Sequence, residues 1–431
     1  MMSGQNEQQA DNPRHTDEYI APAPRVSVQA FCETEETVSA VTSAGQDRRL
    51  AKVHLTVKTG GVEAAVEAYS SMPTPNVIIL ESDGTRDILE GLDELASVCD
   101  PGTRVVVIGS ERDEAPYREL VRRGVNDYVI GPVDTIDVVR SICSLFSASE
   151  AVVTGRIIAV VGAKGGVGAS TVAHNVAWTI ARDLALDSVV IDLDLAFGTA
   201  SLDYNQDPVQ GIANAVFQPE RPDTALMERL LAKCTDRLSL LAAPAALDRV
   251  YDFGAEAFDA IFDTLRMTTP CIVLDVPHQW SGWTRRALIS ADDILIVAEP
   301  DLANLRNTKN MLSVLKGARP NDRAPLYCIN QVGLPKRPEI EVRAFTKAVE
   351  SQPIAVIPFD SKLFGTAANN GQMIAEVSKN HRTTEMFVNI AHHLTGRGEF
   401  QKPKRSLLEP IIKKLRGRAK RRESAPHRKA S

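Results

Sequence analysis

The sequence predicts an α/β protein made of two doubly wound parallel-sheet domains, a flavodoxin-like unit followed by a P-loop unit. Three observations carry this expectation. The chain has 431 residues, more than one hydrophobic core usually serves. Short Val/Ile/Leu-rich runs alternate with amphipathic stretches in two successive series, the pattern of parallel strands joined by crossover helices. A glycine-rich strand-to-helix junction opens the second series.

Composition bounds the class. With 44% hydrophobic and 24% charged residues the chain reads as globular, and no apolar run approaches the ~18 residues of a membrane span. Its first residues are polar and lack the apolar stretch of a secretory signal, so residues 1–24 are predicted to be a disordered lead and the protein cytoplasmic. Cys32, Cys99, Cys143, Cys234, Cys271 and Cys328 are scattered without metal-ligand spacing, as expected of reduced and mostly buried thiols.

The first series spans 25–150. Its strand candidates are RVSVQAF, KVHLTVK, NVIILES, RVVVIGS and NDYVIG. Small and polar residues near 144–155 read as the linker, with the boundary near Ala151. In the second series, 151–400, RIIAVVG, SVVIDLD, RLSLLAAP, PCIVLDVP, DDILIVAEP, LYCINQV and IAVIP are continuous apolar runs, as strands buried on both faces require.

Charge is unevenly placed. From Lys402 to Ser431 twelve Lys or Arg face two Glu, a net of +10 within an overall −6, so the remainder carries −16. Leu407, Leu408, Ile411, Ile412 and Leu415 share one helical face with cations opposite, so 401–431 is predicted to be a basic amphipathic tail. Peripheral membrane contact through 406–422, docking to a partner protein and a solvated charge run all fit this pattern. DNA is the least favoured partner, because no aromatic residues interleave the basic ones.

The chemistry centres on Gly162, Ala163, Lys164, Gly165, Gly166, Val167, Gly168, Ala169, Ser170 and Thr171, which follow the strand IIAVV and open the stretch VAHNVAWTIA. Glycines let backbone N–H groups close around phosphate oxygens, and a helix N-terminus adds partial positive charge. Ser170 is placed to hold Mg²⁺ and Thr171 to bond a phosphate. Asp192 and Asp194 follow one apolar strand, and Asp275 ends another.

Lys164-Gly165-Gly166-Val167-Gly168 resembles the deviant Walker A loop of the MinD/ParA family. The resemblance implies ATP and Mg²⁺ as cofactors, with Lys164 as the lysine that crosses a homodimer interface. It makes Asp192 and Asp275 metal-site carboxylates, with Asp194 serving the attacking water, and places adenine near Asn330, Pro358 and Asp360. The family's second loop lysine falls on Ala169, and losing one charge-assisted phosphate contact costs roughly 1.5–3 kcal/mol. ATP binding with weak or absent hydrolysis is the expectation.

Residues 25–146 resemble a response-regulator receiver, most clearly through Gly124-Val125-Asn126-Asp127-Tyr128-Val129-Ile130-Gly131-Pro132. The phospho-acceptor aspartate and conserved lysine of that family fall on Glu81 and Gly131, so the domain reads as a pseudo-receiver for protein contacts or as a purely structural unit. Glu33, Glu35 and Glu36 read as a solvated helix start.

A degenerate receiver joined to a lysine-poor deviant Walker loop resembles the TadZ/CpaE family over about 25–395, and Pro300-Asp301-Leu302-Ala303-Asn304-Leu305-Arg306-Asn307 supports that choice. What this implies is a spatial regulator of Flp (Tad, type IVc) pilus assembly. It would dimerise on ATP, contact pilus or secretion assembly proteins and sit at the inner-membrane face of the cell pole. The alternatives are an active MinD/ParA-type ATPase that positions chromosome, plasmid or division machinery, and a nucleotide-free scaffold.

Overall fold

Strands β1 to β5, Ser27–Cys32, His54–Thr59, Val77–Ser82, Arg104–Gly109 and Asp127–Ile130, form one sheet in the order β2-β1-β3-β4-β5. Every pairing in it is parallel. This is the flavodoxin-like doubly wound order. All five strands fall where the sequence put them. The computed structural model describes residues 19–82, 88–109, 119–147, 155–218, 222–244, 247 and 251–396, so the basic tail and most of the lead lie outside the described residues.

The second sheet contains β6 (Arg156–Gly162), β7 (Ser188–Asp192), β8 (Ala232–Lys233), β9 (Leu238–Leu241), β10 (Cys271–Val276), β11 (Asp293–Ala298), β12 (Leu326–Val332) and β13 (Ala355–Pro358). Their order is β13-β12-β11-β6-β10-β7-β9-β8, parallel except for β8 against β9. Both faces are apolar. On β6, Ile157, Ala159 and Val161 enter one core while Ile158 and Val160 enter the other. The helices Ala169–Asp183 and Arg382–Thr395 cover one face, and Asp259–Arg266 and Gly282–Ser290 cover the other. That double covering is why these strands read as unbroken apolar runs.

Three details depart from expectation. The helix Thr135–Ser147 runs through the first residues of the stretch read as linker, because Ile136, Val139, Ile142 and Cys143 bury against the front sheet. Residues 19–24 also pack against the fold: Ala23 is buried, and the Tyr19 hydroxyl donates to the Gly155 carbonyl at 3.2 Å. The two-residue strand β8 is too short to leave a periodic trace. Among the described residues, no helix is long and apolar enough to cross a membrane, and all six cysteines are free.

Candidate phosphate and metal site

The loop after β6 is shaped by side chains that grip its carbonyls. His278 Nδ1 lies 2.9 Å from the Gly162 carbonyl, and Asn307 donates to that of Ala163 at 2.8 Å. Gln331 donates to Gly166 at 3.1 Å and Asn330 to Val167 at 2.8 Å. A trans peptide points its N–H opposite to its C=O. Holding the carbonyls of Ala163, Gly166 and Val167 therefore turns the N–H groups of Lys164, Val167 and Gly168 the other way, as an anion cradle needs. Gly168, at φ 81°, precedes the helix, and a Cβ there would stand 2.7 Å from Asn330 Nδ2.

Ala169, Ser170 and Thr171 form the first turn of the helix Ala169–Asp183, where unpaired N–H groups and the helix dipole favour a phosphate. Lys164 is half-exposed and pairs with Asp301 at 3.4 Å. Asp301 also caps the helix Leu302–Ala318 through the Asn304 N–H at 2.7 Å.

Neighbouring strands bring the two metal-site candidates together, since Asp275 of β10 is in register with Asp192 of β7. Both are buried. Asp192 accepts from the N–H groups of Asp194 and Ala200, each at 3.1 Å. Burial and the neighbouring Asp275 carboxylate push Asp192 upward, against the opposing charge of His174. The turn after β7 closes on this carboxylate: a Cβ on Gly198 would stand 2.3 Å from Asp192 Oδ2. Asp194 accepts from the Phe197 N–H at 3.1 Å, which holds the same turn.

His174 lies one helical turn beyond Ser170 and is fully buried. Its Nδ1 is 2.7 Å from Asp203, and its Nε2 is 3.3 Å from Asp275 in an ion-pair contact not aligned as a hydrogen bond. Burial opposes its charge, but the hydrogen bond to Asp203, the close contact with Asp275 and the charges of both carboxylates raise it to about 10. The residues expected near adenine have local roles. Asn330 holds the phosphate loop, Pro358 ends β13, and Asp360 caps the helix Ser361–Asn370 through the Leu363 N–H at 2.9 Å.

In the front domain Glu81 fills its own site. Its carboxylate accepts from the N–H groups of Glu33 and Thr34 at 2.7 and 2.9 Å, and from the hydroxyls of Thr34 and Thr37, both at 2.7 Å. Burial opposes its ionisation, yet these donors hold it below the usual glutamate range. Glu35 and Glu36 occupy the first turn of the helix Glu35–Ala44, as expected of a solvated helix start.

The donor set suits Mg-ATP. Two buried carboxylates and the Ser170 hydroxyl are hard oxygen ligands, and the loop offers backbone N–H groups to phosphate. Sequence reasoning singled out the stretch that holds Asn307 but not its contact, and missed His278, Gln331 and His174, whose contacts join positions far apart in the chain.

Comparison with known proteins agrees with this geometry. A family profile described as an AAA domain matches residues 155–325. The septum site-determining protein MinD of Synechocystis is 26% identical over 274 residues, 61% of this chain and 99% of the relative. A crystal structure of a pilus assembly protein CpaE from Caulobacter crescentus is 44% identical, covering 30% of this chain and 98% of that one, with a TM-score of 0.28. A CpaE2 pilus assembly protein from Sinorhizobium meliloti is 38% identical, covering 28% and 100%, with a TM-score of 0.27. Both CpaE structures match the N-terminal region. The chain is a MinD/ParA-type P-loop ATPase whose N-terminal region is related to the CpaE pilus assembly proteins.

Proposed function

We propose that this protein is a nucleotide-dependent spatial regulator of Flp/Tad pilus assembly, which binds Mg-ATP as a homodimer and hydrolyses it weakly or not at all. The observation that supports this best is the site itself: the loop carbonyls are tied back and the Asp192–Asp275 pair is intact, yet Ala169 stands where the family has a lysine. In this reading Ser170, Asp192 and Asp275 hold Mg²⁺, which supplies charge neutralisation at the phosphates. Thr171 and the loop N–H groups orient the phosphates, and Asn330, Pro358 and Asp360 lie on the adenine side.

Lys164 then exchanges Asp301 for the nucleotide of the partner subunit. Asp194 positions a water, so any turnover depends on it. The dimer presents its front domains or tail to pilus assembly proteins at the inner-membrane face of the cell pole. The test is light scattering of the full-length protein with and without Mg-ATP, run beside a phosphate-release assay. ATP-dependent dimers that Lys164→Ala abolishes, with turnover near background, support the reading. Rapid turnover stimulated by DNA or lipid would favour an active positioning ATPase instead.

A further inference from the structure

The front domain meets the second domain through buried charge. Arg48 and Arg49 lie in a short 3-10 helix, Arg48–Leu50, just before β2. Arg48 grips Asp322 with two bonds, Nε to Oδ2 at 2.7 Å and Nη2 to Oδ1 at 3.0 Å, and reaches Asp292 Oδ1 at 3.0 Å. Arg49 is held by Asp47 and donates to the Asn321 carbonyl at 3.2 Å, while Asn321 donates to Asp47 at 3.1 Å.

Behind them, Arg266 bonds Asp292 Oδ2 at 2.7 Å and Arg319 bonds Asp322 at 2.9 Å. The Arg48 side chain is 11% exposed, and those of Asp292 and Asp322 are 2% and 6% exposed. Tyr19 closes the edge of the network over Gly155 and Arg266.

Position within the sheets gives this network its meaning. Arg48 stands at the N-terminal edge of the front sheet, before β2, and Gly155 and Asp292 immediately precede β6 and β11. Apart from β8 the strands are parallel, so their C-terminal ends lie on the opposite edge of each sheet. Glu81 with Thr34 occupies the far edge of the front sheet, and the phosphate loop with Asp192 and Asp275 the far edge of the second.

We propose that the two domains are mounted back to back as one rigid body by the Arg48–Asp292–Asp322 network, with their working edges pointing away from each other. Relative motion is the default for domains joined by a small polar interface. Here Arg48 is tied to two carboxylates at once, so separation gives up three charge-assisted bonds in a fixed geometry, while Asp292 and Asp322 keep Arg266 and Arg319. In a dimer formed through the nucleotide edge, the two Glu81 ends lie at the far tips and do not touch. That consequence rests on the proposed nucleotide reading; the mounting does not.

The test uses the nucleotide-free full-length protein, by scanning calorimetry and small-angle X-ray scattering. The expected result is one cooperative unfolding transition for wild type, and for Arg48→Glu two separate transitions with a larger radius of gyration. Arg48→Lys, which keeps the charge beside Asp292 and Asp322, moves both readings back toward wild type. If Arg48→Glu does not fold, Arg48→Gln is judged by the same two readings. Two transitions in wild type, or one transition and unchanged scattering in the folded variant, would overturn the proposal.

Discussion

Ala169 limits what the phosphate loop can do. It is the first residue of the helix, partly exposed beside the cradle, so a lysine there has room to reach an anion. Ala169→Lys is expected to tighten Mg-ATP binding roughly ten- to hundredfold, the equivalent of one charge-assisted contact, and calorimetry reads it directly. No gain would mean that Lys164 already occupies that role. Gly198→Ala tests the proposed metal role of Asp192, because its Cβ would collide with Asp192 Oδ2. The variant should lose the Mg²⁺-dependent part of ATP affinity while Mg²⁺-free binding persists; equal loss of both would argue against a metal role for Asp192. The placement of Lys164, Ser170, Asp192 and Asp275 at or just beyond the ends of apolar strands was legible because each sits at a fixed offset from one. Asn330 was legible as a position but not as a contact, since its bond to the Val167 carbonyl spans 163 residues and leaves no local pattern.

At the scale of elements, the phosphate loop owes its shape to three neighbouring segments that contribute His278, Asn307, Asn330 and Gln331. Asn330→Ala leaves a buried carbonyl unpaired at a cost of about 1–3 kcal/mol, so Mg-ATP affinity should fall about tenfold with the far-ultraviolet spectrum unchanged. An unchanged affinity would show that the loop keeps its shape alone. Glu81 plays the matching part in the front domain, where it ties the end of β1 and the start of the helix Glu35–Ala44 to β3. Glu81→Ala should destabilise the protein by roughly 2–3 kcal/mol in chemical denaturation, since four donors lose their acceptor. The main strands were readable because burial on two faces writes itself as unbroken Val/Ile/Leu. The end of the helix Thr135–Ser147 was not, because Ser144 and Ser147 resemble linker residues while Ile142 and Cys143 are what anchor it.

For the whole molecule, the back-to-back mounting was invisible in the sequence. Arg48, Arg49, Asp292 and Asp322 look like ordinary surface charges until the fold brings them together. The mounting carries a pH signature through Asp292, whose carboxyl is held at about 2 against 3.8 because Arg266 and Arg48 outweigh the opposing effect of burial. A depressed carboxyl stabilises the fold above its unfolded value and loses that contribution as pH falls through its folded value. Asp292 should therefore contribute on the order of 2 kcal/mol at neutral pH, lost between about pH 4 and pH 2. Acid titrations of wild type and Asp292→Asn, followed by near-ultraviolet circular dichroism, should differ in that window; coincident curves would contradict the network. The claim on which the functional account depends is nucleotide binding without the second lysine. Calorimetric titration of Mg-ATP into the full-length protein, with Ser170→Ala as control, tests it most directly. The account predicts micromolar binding that the control loses, whereas no heat even at millimolar ATP would contradict it and leave a scaffold that has kept the fold of a nucleotide switch without its ligand.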